Sequence, residues 1–179
     1  MTAVKISWNW MEFHATETRS KVEARIRSKV ARKSLLQAVY VIRLKSPFAI
    51  AYPEKYSPVL YIGEGDLLAR LDKHRAWTAK LCSLGFDFPL EVAFCFPRVR
   101  NNADAYKTFE AHLLEVFSRR YGSLPLKNTI NEHKAFDHEY DGVATSEVLG
   151  PGKGTKAMWA IRPLPSNPFQ QVFQRTHAC

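Results

Sequence analysis

Apolar residues recur along the chain with two different periods, and these divide it into strands and helices. Val22, Ile26 and Val30 stand four apart, which predicts a helix over 16–37. Thr16 and Thr18 are its candidate caps. Residues 38–44 (AVYVIRL) are rich in β-branched side chains and predict a strand. Residues 59–62 (VLYI) predict a second, most simply antiparallel to the first. Residues 90–96 (LEVAFCF) predict a third, stopped by Pro97. Helical spacing covers 66–81 and 103–121. Pro47, Pro53 and Pro58 mark 45–58 as a loop or ragged hairpin tip, and 122–135 reads as a polar turn. Trp8, Trp10 and Phe13 in residues 1–15 are expected to pack back on the domain. Residues 157–164 predict a short edge strand, and the tail from Pro165 is expected to be poorly ordered.

Composition narrows the class. The chain has 179 residues, the size of one domain. It is 46% hydrophobic and 12% aromatic, enough for a packed core. Its formal net charge is +9, from 26 Lys+Arg against 17 Asp+Glu. That balance suits a polyanion partner, although many soluble proteins are basic without one. Through residue 37 there are 8 Lys+Arg and 3 Asp+Glu, so +5 of the +9 lies there. The basic face of the first helix reads either as solvated or as a phosphate-contacting arm. Its candidate DNA contacts are Arg25, Arg27, Lys29, Arg32 and Lys33, with Lys73 further on. Cys82, Cys95 and Cys179 are odd in number and widely spaced, which signals neither a disulfide framework nor a zinc site. A reducing, cytoplasmic setting is the simpler expectation. No run approaches the length of a membrane span, and the N-terminus lacks a secretory core. Residues 150–154 (GPGKG) lack the spacing of a phosphate loop and read as a linker or tight turn.

The chemistry concentrates in 61–74. Tyr61-Ile62-Gly63-Glu64-Gly65 reads as a strand end and glycine turn, with positive φ where needed. Asp66 is placed to cap the helix that follows. With Leu67 at 0° on a helical wheel, Leu71 falls at about 40°, His74 at about 340° and Arg70 at about 300°. Arg70 and His74 therefore flank the buried stripe, where a cleft wall would be. On the helix over 103–121, Glu110 falls inside the apolar stripe of Phe109, Leu113 and Phe117, whereas Glu115 faces solvent. A carboxylate facing a core needs compensation, either an Arg salt bridge or a metal.

Tyr61-Ile62-Gly63, with Ala38-Val39-Tyr40 upstream, resembles the motif of the GIY-YIG nuclease family over roughly residues 38–130. Tyr40, Tyr61, Arg70, His74, Glu110 and Asn128 fall in the family's order. The resemblance implies an α+β fold, a small three-stranded antiparallel sheet flanked by helices. A basic helical extension (1–37) would precede the nuclease core (38–135), and a C-terminal extension (136–179) would follow it. It implies a metal-dependent endodeoxyribonuclease with Mg²⁺ on Glu110, Mn²⁺ substituting. Arg70 would grip the phosphate and a tyrosine, Tyr40 or Tyr61, would take the proton of the attacking water. Such a base would need a nearby cation to lower its pKa. His74 would relay a proton or donate to phosphate, and Asn128 would orient the site.

Three features depart from the family pattern. Ala38 replaces the motif glycine, a Pro-rich insertion separates Tyr40 from Tyr61 by 21 residues, and no second DNA-binding domain is recognisable. The insertion is a feature of standalone restriction-type members. The leading expectation is therefore a site-specific enzyme acting on double-stranded DNA as a homodimer, without a membrane partner. The basic helix, the 45–58 loop and the C-terminal segment would supply its specificity. The alternatives are a broad-specificity nuclease toxin or effector, a catalytically silent nucleic-acid-binding module, and a basic scaffold.

Overall fold

A computed structural model describes residues 4–30, 32–82, 90–129, 138–151, 159–162 and 166. It is a mixed α+β structure. Strand β1 (Asn9–Phe13) is followed by helix α1 (Arg19–Arg27) and a 3₁₀ turn (Arg32–Gln37). Then come β2 (Ala38–Leu44), β3 (Phe48–Ala51), β4 (Tyr56–Ser57) and β5 (Val59–Gly65). Helix α2 (Leu67–Cys82), β6 (Leu90–Cys95), α3 (Ala105–Tyr121), α4 (Gly142–Leu149) and β7 (Trp159–Ile161) complete the order.

The main sheet has four strands in the order β1-β6-β2-β5, all antiparallel, rather than the expected three. The fourth is β1, where Met11 and Phe13 turn into the core. A second sheet, β4-β3-β7, is built from the Pro-rich segment and the expected edge strand. The segment read as a loop or ragged hairpin tip carries a short hairpin of its own, with β7 parallel to β3. It leaves the sheet after Leu44, at the opposite end of β2 from Tyr40.

Strand β2 is central and buried at all seven positions, as its apolar run requires. Helix α3 packs across β2 and β5, burying Phe109, Leu113, Leu114 and Phe117. Helix α1 buries Val22 and Ile26 but ends at Arg27, short of the expected span. Thr18 holds its N-cap position without capping; its hydroxyl meets Ser20 instead.

Arg43, at the far end of β2, is almost fully buried. It pairs with the cross-strand Glu91 at 2.9 Å and donates to the carbonyls of Val148 (2.8 Å) and Gly150 (3.0 Å). A guanidinium thus satisfies the last carbonyls of α4, where the helix dipole favours a cation. Helix α4, unforeseen from the sequence, starts at Asp141, whose carboxylate accepts from the Val143 and Ala144 amides. Among the described residues, no helix is long and apolar enough to cross a membrane.

Candidate active site

The site forms at the end of the sheet where β2 begins and β5 ends. Tyr40 stands directly opposite Gly63 in the antiparallel ladder. Tyr61, two residues before Gly63, lies on the same face, and the two phenol rings sit 5.9 Å apart. Gly63 lies within β5, and its requirement is steric rather than conformational. A Cβ there would come within 2.5 Å of the Tyr61 ring and 2.7 Å of the Tyr40 hydroxyl. Of Gly63 and Gly65, the second is the one with positive φ (114), where β5 hands over to α2.

Asp66 caps α2 as expected, accepting from the amides of Leu68 (3.1 Å) and Ala69 (3.2 Å). The helix then presents Arg70 and His74 to the tyrosines. The Arg70 Nε donates to the Glu64 carbonyl at 3.0 Å, which anchors the guanidinium at its base. The Tyr40 hydroxyl lies 2.8 Å from His74 Nε2, and the His74 ring lies 4.4 Å from that of Tyr61. On its other side, His74 Nδ1 accepts from the Trp77 indole at 2.9 Å. Glu110 is partly buried on the second turn of α3, and its charge acts on both phenols.

Electrostatics runs against one expectation. Burial is the main influence on Tyr40 and pushes its phenol far above the ordinary range; the neighbouring Tyr61 adds to this and Arg70 only partly offsets it. Burial raises Tyr61 too, while the neighbouring Tyr40 hydroxyl and the charge of Arg70 work the other way. The cation is therefore present, but it does not lower either phenol below its usual value. Burial, reinforced by Arg70 and Lys127, holds His74 down at about 4.

Asn128 brackets the backbone of β5. Its side-chain oxygen accepts from the Ile62 amide at 3.0 Å and its amide nitrogen donates to the Ile62 carbonyl at 2.8 Å. With Lys127 N donating to the Leu60 carbonyl at 2.9 Å, this covers the free edge of β5 and pins the strand that carries Tyr61.

The expected DNA contacts fare differently. Arg25 and Arg27 are taken up by Glu17 and Glu23. Lys29 and Lys73 are exposed. The side chains of Arg32 and Lys33 lie outside the described residues, as do Asn131, 152–154 of the glycine-rich turn and most of the tail.

The sequence reading missed Trp77, Lys127, Arg98 and Arg100. The i, i+3 spacing of His74 and Trp77 was the available signal for the first. Lys127 sits over the Trp77 ring at 5.6 Å. Arg98 and Arg100 are exposed, and among the described residues neither has an ion pair or side-chain hydrogen bond. They follow β6, whose Phe94 and Cys95 pair with Tyr40 and Val39, so their loop leaves the sheet at the tyrosine end.

Among the described residues, no three His, Cys, Asp or Glu side chains gather into a metal cage. Glu110 brings a carboxylate that could hold a metal, and Glu64, whose charge also acts on Tyr61, brings a second. A hard cation bound by carboxylate, water and phosphate oxygens matches that donor set. Comparison with protein-family models, with curated proteins and with solved structures gives no match to this chain.

Proposed function

We propose that the chain is a GIY-YIG-type, metal-dependent endonuclease that hydrolyses phosphodiester bonds in double-stranded DNA at specific sites. One observation carries this reading. Five residues scattered from 40 to 110 converge on one end of the sheet, with Gly63 leaving the space that their phenols fill. They supply an acid-base pair, a phosphate donor and a carboxylate, the set that phosphodiester hydrolysis needs.

Glu110 would hold Mg²⁺ or Mn²⁺, which when bound neutralises phosphate charge and stabilises the leaving oxygen. Arg70, anchored through Nε and with one terminal nitrogen 3.9 Å from the Glu64 carboxylate, would turn its fork to a phosphate oxygen. The tyrosine pair positions the attacking water and accepts its proton. Lys127, Arg98 and Arg100 extend the positive rim along which a duplex backbone would lie. A double-strand cut with one site per chain calls for two chains.

A second reading, a catalytically silent nucleic-acid-binding module, is favoured by the raised phenols, which make poor bases without a further cation. Supercoiled plasmid separates the two. Wild-type protein and Glu110→Ala are incubated with Mg²⁺ and with chelator. The nuclease reading expects cleavage by wild type with metal only, and discrete fragments from linear DNA. Uniform degradation would point to a toxin-like nuclease. Salt-sensitive binding without cleavage of plasmid, genomic DNA or RNA would overturn the nuclease reading.

A further inference from the structure

The hydrogen bonds around His74 have a direction. An indole N–H can only donate, so His74 Nδ1 must accept from Trp77, and it carries no proton. The remaining nitrogen of a neutral imidazole, Nε2, then bears the hydrogen and donates it to the Tyr40 oxygen 2.8 Å away. An imidazolium would set one N–H against another at Trp77. The Tyr40 hydrogen is then not taken up by His74, and the nearest phenol is that of Tyr61, whose ring centroid lies 5.9 Å from that of Tyr40. A one-way chain results, from Trp77 through His74 to Tyr40, and beside its end stands Tyr61, the more exposed of the two phenols.

We propose that Trp77 is a positioning residue that locks His74 in the neutral Nε2–H tautomer, so that His74 donates to Tyr40 and cannot take its proton, which leaves the neighbouring Tyr61 as the phenol that accepts one. The catalytic meaning of this lock rests on the nuclease reading; the lock itself does not. His74 is then neither base nor relay, since relaying a proton would require it to change tautomer against Trp77. Lys127 over the indole and the edge-on packing of His74 against Trp77, with centroids 5.8 Å apart, hold the indole in place.

The test is a long-range ¹H–¹⁵N spectrum of histidine-labelled protein at neutral pH, with His74 assigned through His74→Gln. The Nε2–H pattern is expected for His74 in the wild type, and a mixture of tautomers in Trp77→Phe, which keeps an aromatic ring and loses only the donor. In plasmid cleavage, Trp77→Phe is expected to lower kcat about tenfold with KM within about twofold, the size of one lost neutral hydrogen bond. A wild-type spectrum showing Nδ1–H or imidazolium would overturn the lock, whether or not Trp77→Phe folds. So would a Trp77→Phe spectrum unchanged from wild type. Absence of cleavage by wild type alongside an Nε2–H spectrum would remove the nuclease reading and leave the lock standing.

Discussion

The phenol of Tyr40 occupies the space that a side chain at Gly63 would take. The two residues face each other across the β2–β5 ladder, and a Cβ at 63 would lie 2.7 Å from the Tyr40 hydroxyl and 2.5 Å from the Tyr61 ring. One glycine thus allows both tyrosines to share a face. Gly63→Ala must displace both phenols, which are boxed in by α2 and α3. Overpacking of this kind costs about 1–3 kcal/mol. Its larger effect is expected on chemistry, with cleavage falling at least about a hundredfold, as misplacement of reacting groups by about 1 Å can do. Thermal melts beside cleavage rates check both. A folded, fully active Gly63→Ala would show that the close approach is not needed.

His74 makes stability depend on pH. Burial and its cationic neighbours hold it at about 4 in the folded protein, against 6.5 for the free side chain. The folded state therefore binds fewer protons than the unfolded chain between those values. Its contribution is complete above pH 6.5 and is lost as pH falls toward 4. His112 is lowered by burial in the same sense. Partial exposure reduces the His74 share to about 1 kcal/mol. Urea midpoints at pH 7 and pH 4.5 should show a drop in the wild type that shrinks in His74→Gln. An unchanged drop would place the acid sensitivity elsewhere.

Arg43 is the structural counterpart of this charged site, at the opposite end of β2. It joins the sheet to the C-terminal end of α4 through three carbonyls and Glu91. Arg43→Ala leaves Glu91 partly buried without its cation and the carbonyls without their donor. A loss of about 3–5 kcal/mol is expected, read as a lower urea midpoint. A loss under about 1 kcal/mol would mean that water replaces the guanidinium at little cost.

What could be read in advance follows from how local each signal is. Strands β2, β5 and β6 and helices α2 and α3 carry their own periodicity, and the helical wheel separated Glu110 from Glu115, which the structure pairs with Arg119 at the surface. Strand β1 had no such signal: Trp8 and Trp10 are only partly buried, and its partner β6 lies some eighty residues away. Pro47, Pro53 and Pro58 hid the β3–β4 hairpin because prolines are tolerated at its edges. Helix α4 is eight residues long and leans on Arg43, a tertiary contact with no trace in its own spacing. At the site, residue identity pointed to Tyr40, Tyr61, Arg70, His74 and Glu110. The partner of His74 and the balance of burial against cation charge required coordinates.

Positive charge near the tyrosines, rather than on the first helix, is expected to hold the duplex. Arg25 and Arg27 spend their charge on Glu17 and Glu23, whereas Arg98 and Arg100 have no such partner among the described residues. They stand three and five residues beyond the end of β6, within about 10–18 Å of extended chain from the strand that pairs with Tyr40. If both touch phosphates, Arg98→Ala/Arg100→Ala should reduce the slope of log affinity against log salt by about 2. Arg25→Ala/Arg27→Ala should reduce it by less than about 1, because breaking those pairs also frees two carboxylates. Fluorescence anisotropy with a labelled duplex, in chelator so that no strand is cut, measures both slopes. A larger change in the helix double variant than in the loop double variant would move the interface back to α1.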